Sequence, residues 1–229
     1  MKISKKKHLE MILENVPKHP NPKVELEQYS TPATIAADLL WNAYSIGDIG
    51  GKSVIDLGCG CGIFTFGSLL LGAKTSLGID IDNESIDLAK NTLADIDVPN
   101  ANFITADITS FNSISDLLNN IDNKNEVFND SLFVGYKADT LIQNPPFGSQ
   151  ERGTRNIDRK FIEFAVNSAD VIYSFHMAST EEFVIDYFRD LGADVTHKLV
   201  YKFPIPKLYD FHREESRDVK VVVLRATTF

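Results

Sequence analysis

Val54-Ile55-Asp56-Leu57-Gly58-Cys59-Gly60-Cys61-Gly62 reads as a β-branched strand running into a turn with glycine at every second position. Glycine suits such a turn because the backbone bends sharply and a ligand can approach it with no Cβ in the way. The spacing G-x-G-x-G differs from the G-x-G-x-x-G of dinucleotide binders, and the Lys-Ser/Thr pair of a phosphate loop is missing, so no pyrophosphate reader is indicated. Working outward, Thr75-Ser76-Leu77-Gly78-Ile79-Asp80 is a second strand. It ends in an acid eighteen residues after Gly62, where the hydroxyl pair of a ribose would lie in a doubly wound sheet. A third strand, Asn102-Phe103-Ile104-Thr105-Ala106-Asp107, ends in another acid placed to accept from an adenine amine. Each acid alone is a weak signal, and Asp80 would serve equally well as a helix N-cap. Three successive strands that each end in an acid, the first with glycines behind it, make a strong joint signal.

A fourth run, Asp139-Thr140-Leu141-Ile142-Gln143, has the length and composition of a buried parallel strand and leads into Asn144-Pro145-Pro146-Phe147. Two prolines fix φ and remove two backbone donors, so the chain leaves the strand stiff and extended with its carbonyls free to accept. The Asn144 side-chain oxygen and the Pro145 carbonyl can each take one hydrogen of an exocyclic NH2, and the Phe147 ring offers a face for stacking a base. Planar amides and aminopurines fit that description. Taken alone, the tetrapeptide also reads as an ordinary turn.

The strand pattern continues to seven, around 53–57, 75–80, 101–106, 138–143, 170–177, 195–203 and 218–228. Helical spacing covers Thr31 to Ala43, with Thr31 as cap and Pro32 at the first helical position, and also Asn83 to Leu93, Phe161 to Ala169 and Thr180 to Leu191. Strand and helix alternate until the last two strands, which a loop joins. The expected fold is therefore α/β: a Rossmann-like, seven-stranded, mostly parallel sheet with helices on both faces and an antiparallel last strand. Asn112 to Asp130, rich in Asn, Asp and Ser, is the segment expected to be disordered or mobile, with Gly148 to Asn156 next. All the motifs lie at strand carboxyl ends, where ligands of such sheets bind, so they share one crevice.

The set Asp56-Leu57-Gly58-Cys59-Gly60, Gly78-Ile79-Asp80, Ala106-Asp107 and Asn144-Pro145-Pro146-Phe147 resembles class I S-adenosylmethionine-dependent methyltransferases of the amino-methylating type. Leu26-Glu27-Gln28-Tyr29, the doubled Gly-Cys-Gly-Cys-Gly, Asn144 to Gly148 and Tyr173-Ser174-Phe175-His176 are more closely similar to the methyltransferase-like protein 5 family, in an archaeal-type version. That family methylates N6 of one adenosine in small-subunit ribosomal RNA. The resemblance implies residues 1–30 as an N-terminal helix and cofactor-covering segment and 31–229 as the catalytic domain. It implies cofactor contacts at Gln28, Thr31, Asp56, Gly58, Cys61, Ile63, Asp80, Ile81, Asp107, Ile108 and Asn144, with Asn144, Pro145, Pro146 and Phe147 as the catalytic set. It also implies a small zinc-binding activator subunit paired along a sheet edge, for which the third strand and Ile108 to Phe111 are candidate contacts.

Composition bounds the rest. With 229 residues, 43% hydrophobic and 24% charged, the chain suits one large domain. No apolar run approaches the roughly 20 residues needed to cross a bilayer, and the basic N-terminus has no apolar h-region, so a cytoplasmic protein is expected. Cys59 and Cys61 are too close in sequence for a good disulfide and have no partners for zinc, so no metal is expected. A net charge of −9 is a poor match for RNA, but residues 1–30 carry +2, 195–229 carry +3 and the middle −14, so the two ends can form a basic rim. Arg152, Arg155, Arg159 and Lys160 just after the tetrapeptide, and Lys207, His212 and Arg213 in the last hairpin, are candidate RNA contacts. His176 is expected to be buried and not a catalytic base. Three alternatives remain at this level. A protein glutamine methyltransferase usually has Tyr at the fourth position of the tetrapeptide and a helical domain ahead of the fold. A DNA adenine methyltransferase appends a target-recognition domain. A non-catalytic scaffold would have lost part of the pocket.

Overall fold

The computed structural model describes residues 3–23, 26–96, 98–120, 137–147, 157–206 and 216–228. Seven strands run through it: β1 (Ser53–Leu57), β2 (Thr75–Asp80), β3 (Ala101–Thr105), β4 (Ala138–Gln143), β5 (Ala169–Met177), β6 (Ala193–Pro206) and β7 (Ser216–Thr228). They form one sheet in the order β3-β2-β1-β4-β5-β7-β6. The first five strands pair in parallel, and β7 runs antiparallel to both of its neighbours. The sheet is the mixed, mostly parallel one expected. The chain builds outward from β1 through β2 to β3, then returns to place β4 on the other side of β1. The crevice beyond the carboxyl ends of β1 and β4 is thus the topological switch point, the usual ligand position in such sheets.

Among the described residues seven α-helices accompany the strands: α1 (Lys6–Leu13), α2 (Ala33–Ser45), α3 (Ile63–Leu70), α4 (Asn83–Ile96), α5 (Ile114–Asn120), α6 (Ile157–Ser168) and α7 (Glu181–Asp190). Alternate strand residues feed two cores, as the two-residue period of a strand requires. Ile55, Leu57, Leu141, Ile172 and Leu224 face one core with Leu117 of α5, Ile162 of α6 and Phe188 of α7. Val54, Ile142, Tyr173, Phe175 and Val223 face the other, with Leu9 of α1, Leu39 and Leu40 of α2, and Phe64 of α3. A third, smaller cluster packs Phe66 and Phe103 with Ile86 and Ala89 of α4. Residues 6–13 share the second core, so the N-terminal helix is built into the body of the fold.

Two local expectations change. Residues 114–120 are helical, not disordered: Ile114, Leu117 and Leu118 at i, i+3 and i+4 are all buried, and the Ser113 hydroxyl accepts the Asp116 amide at 3.1 Å. The polar residues around them hid a short apolar stripe. The remainder of the expected mobile segments, 121–130 and 148–156, lies outside the described residues. The other change is at α2, which starts at Ala33 with Pro32 in the cap position, because the Thr31 hydroxyl is turned to Asn144 instead.

Candidate active site

The glycine turn is the floor. Gly58, Gly60 and Gly62 have φ of +70°, +52° and +87°, the left-handed region that disfavours a side chain. The Gly58 and Cys59 amides donate to the Ile79 carbonyl at 2.8 and 3.0 Å, which ties the end of β1 to the end of β2. The Gly60 amide donates to Asp80 Oδ2 at 2.8 Å, and the Asp82 amide to Asp80 Oδ1 at 2.9 Å. Asp80 therefore braces the turn, and burial pushes its carboxyl above the ordinary aspartate range.

Above that floor lies a cavity of about 470 Å³. Gln28, Thr31, Gly58, Cys61, Ile63, Asp80, Ile81, Asp107, Ile108, Asn144 and Pro146 all line it, bringing together residues from five separate stretches of chain. Asp56, Pro145 and Phe147 are not in its wall. Asp56 is 1% exposed and turns from β1 to α3, where the Thr65 amide and hydroxyl both donate to Oδ2 at 2.8 Å. Gly62 offers no side-chain cap for that helix, so Asp56 satisfies a donor the cap position leaves open. Burial raises its carboxyl to about 7, against the pull of the Thr65 bonds. The Phe147 ring meets Phe203 edge-on, with centroids 6.2 Å apart at 88°.

The cavity's outer wall is the N-terminal segment, from Glu14 to His19 and from Leu26 to Thr34. Asp82 latches it. Lys23 Nζ and Gln28 Nε2 donate to its two oxygens at 2.6 and 2.7 Å, and the Ser85 hydroxyl adds a bond at 3.2 Å. Burial alone would raise the Asp82 carboxyl, but the Lys23 and Gln28 bonds outweigh it and hold the group at about 2. His19 Nε2 lies 3.1 Å from Asp82 Oδ2 and 3.7 Å from Glu84 Oε2, so His19, Asp82 and Glu84 have the spacing of a metal site. His19 Nδ1 accepts the Asn21 amide at 3.1 Å, its Nε2 makes no hydrogen bond among the described residues, and at Asp82 a positive charge is already in place. Lys23 already supplies the cation.

At the inner end of the cavity, Asn144 Nδ2 donates to Thr31 Oγ1 at 3.2 Å. That bond fixes which way the amide faces. Its Oδ1 is buried and has no hydrogen-bond partner among the described residues. The Phe147 amide, the first backbone donor after two prolines, donates to Glu27 Oε2 at 2.6 Å. Both thiols of the turn stay protonated: burial raises Cys61 to about 11, with Asp80 and Asp82 adding to the effect, and burial also raises Cys59. His176 bonds Ser174 at 2.6 Å, and complete burial lowers its ring to about 3, so it is neutral, as the sequence suggests.

Asp82, His19 and Lys23 escape the sequence reading, and Glu27 enters it only within Leu26-Glu27-Gln28-Tyr29, with no role of its own. Among the candidate RNA contacts, Arg159 lies 4.8 Å over the Phe183 ring and 5.6 Å from that of Tyr187, and Lys160 pairs with Glu163 at 2.7 Å. Arg152, Arg155, Lys207, His212 and Arg213 lie outside the described residues.

Against known proteins, this chain is 31% identical over 225 residues to the rRNA N6-adenosine-methyltransferase METTL5 of Danio rerio, covering 97% of the chain and 99% of the relative. The chain belongs to that family. An uncharacterized protein of Methanocaldococcus jannaschii is 40% identical over 224 residues, 96% of this chain and 93% of that one. Among solved structures, an RNA methyltransferase candidate from Pyrococcus horikoshii matches with a TM-score of 0.78 at 34% identity, over 99% of this chain and 98% of the other. The profile of ribosomal protein L11 methyltransferase (PrmA) matches residues 39–129. That stretch holds the glycine turn, Asp80 and Asp107 but stops before Asn144. The METTL5 relative of Danio rerio, by contrast, aligns over 97% of the chain, so the family assignment spans the glycine turn and the tetrapeptide together.

Proposed function

We propose that the chain methylates N6 of an unpaired adenosine in small-subunit ribosomal RNA, using S-adenosylmethionine, in the cytoplasm. The observation that carries this reading is Asn144: a buried amide oxygen in the cavity wall, without a partner among the described residues, held in orientation by Thr31. An unmatched buried acceptor costs free energy unless a ligand donor reaches it. The METTL5 relatives, named for N6-adenosine methylation of rRNA, support an adenine amine as that donor.

The site suits the cofactor. An open glycine turn, the acids Asp80 and Asp107, and a largely apolar wall fit a ribose, an adenine and a methionine arm. Gln28 and Thr31 would cover the methionine end, and Asp107 with Ile108 the adenine end. Bound S-adenosylmethionine supplies a methyl group that is already activated, so the protein contributes position and charge. Asn144 Oδ1 accepts one N6 hydrogen and favours a more tetrahedral nitrogen whose lone pair is less delocalised into the ring. The same acceptor stabilises the positive charge that develops, a preorganised electrostatic effect. No base is needed before transfer, and the surplus proton leaves afterwards to water. A paired adenine cannot enter such a site, so the target is single-stranded or flipped out.

Residues 1–30 are read as the cofactor-covering segment, in keeping with the latch at Asp82. A small zinc-binding activator is read onto β3, the outermost strand on its side of the sheet among the described residues, where a sheet edge invites strand pairing. A stable, fully active isolated chain would remove the activator from this account. The central test supplies radiolabelled S-adenosylmethionine and unmethylated small-subunit RNA, then identifies the labelled nucleoside. N6-methyladenosine that disappears in Asn144→Ala, with cofactor binding retained, is the expected result. Label in a protein substrate would instead point to glutamine methylation, and no label despite cofactor binding would point to a scaffold.

A further inference from the structure

We infer that Glu27 is a positioning residue for methyl transfer: its buried side chain holds the Phe147 amide and so fixes the segment that presents Asn144. The inference rests on the reading of Asn144 given above. Pro145 and Pro146 carry no N–H, so between the end of β4 and residue 147 the backbone has few donors by which it can be tethered. The Phe147 amide is the first one after the prolines, and Glu27 Oε2 takes it at 2.6 Å, short for a bond between an amide and a carboxylate. Thr31, four residues further along, holds Asn144 Nδ2 at 3.2 Å. Two residues of one segment therefore grip the first and last residues of the tetrapeptide.

The backbone at Glu27 is shaped for this task. Its φ is +48°, and among the described residues only Asn100 shares a positive φ without being glycine. Such a conformation is strained and persists only where the surroundings impose it. The Tyr29 amide closes a tight turn onto the Glu27 carbonyl at 2.8 Å. Glu27 turns inward to 6% exposure, while its neighbour Gln28 reaches Asp82 at 2.7 Å. Glu27 has two oxygens and no hydrogen to donate, which suits a site where the tetrapeptide offers an N–H. A Gln there keeps one acceptor oxygen, whereas an Ala keeps none.

The test uses the full chain and compares Glu27→Ala and Glu27→Gln with Asn144→Ala as benchmark. By NMR, the wild-type Phe147 amide proton is expected far downfield and slow to exchange; E27A should lose both features and E27Q should keep most of the protection. In the RNA assay, E27A should lower kcat by roughly 10- to 100-fold, the scale of a misplaced reacting group, with the cofactor Kd changed less than about threefold. E27Q should recover to within about fivefold of wild type. A fast-exchanging Phe147 amide in the wild-type chain overturns the inference even if no variant folds. So does an E27A enzyme with full kcat, or a loss of cofactor affinity as large as the loss of kcat, which would make Glu27 a cofactor contact. If N144A is as active as wild type, the Asn144 reading itself fails and this inference with it; if N144A is inactive and E27A fully active, only the inference fails.

Discussion

Asp56→Asn should change how stability depends on pH while leaving the cofactor site intact. Asp56 is 1% exposed, and burial raises its carboxyl from 3.8 to about 7 despite two bonds from Thr65 at 2.8 Å. The folded protein therefore binds this proton more tightly than the unfolded chain does. The group's favourable contribution is complete below about pH 4 and is lost as pH rises to about 7. At 1.36 kcal/mol per pH unit, the gap between 3.8 and about 7 amounts to about 4 kcal/mol. Asparagine keeps an oxygen for Thr65 but cannot ionise. Any fixed cost of its NH2 is the same at every pH, so the pH-dependent difference isolates the buried charge.

The single tryptophan, Trp41 on α2, reports urea unfolding at pH 4.5, 6 and 8. The stability of Asp56→Asn relative to wild type should climb by roughly 3 kcal/mol from the lowest to the highest pH, with cofactor affinity within about threefold throughout. Two curves parallel to within about 1 kcal/mol would mean that the folded protein ionises Asp56 without penalty, and the argument from burial would be wrong. A selective loss of cofactor binding would return Asp56 to the ligand-contacting role that its motif suggests.

Gly78→Ala on β2 places a Cβ 2.5 and 2.7 Å from the Phe103 ring and 2.9 Å from Cys59 Sγ. Overpacking of that kind should cost about 1–3 kcal/mol, read as a lowered melting temperature. His176 sits at about 3, so its ring resonances should not titrate between pH 5 and 9 by NMR; a midpoint near 6.5 would refute its burial as a neutral group. Lys23→Met removes the 2.6 Å bond to Asp82, so the Asp82 carboxyl should rise from about 2 toward its ordinary range. Because that group's pKa is depressed, its stabilisation is present above about pH 4 and lost as pH falls toward 2, and in the variant that stabilisation should be smaller at neutral pH, so that acid removes less of it. Limited proteolysis between residues 14 and 34 and cofactor dissociation should both quicken several-fold; unchanged rates would show that the latch does not hold the segment.

What the sequence made legible was whatever is encoded by neighbours along the chain. The turn at Gly58 to Gly62 and the acids at 80 and 107 follow from short-range spacing. β2 and β4 fall at the expected residues because a buried parallel strand is a continuous apolar run with sharp ends. Asp56 misleads for a physical reason: an acid at the end of a strand can face the ligand or the following helix, and only the packing of α3 decides. Thr31-Pro32 reads as a helix start, yet the hydroxyl has a better partner 113 residues away. Glu27 and Phe147 are 120 residues apart and His19 and Asp82 are 63 apart, so no local pattern could join them. These long-range contacts share one feature: each ties the N-terminal segment to the crevice. The residues that line the cavity were readable because they stand in short runs of fixed spacing at the ends of strands. The residues that hold them in place answer only to geometry, and a carboxylate serves at Glu27 because the two prolines leave an amide at Phe147 as the available handle.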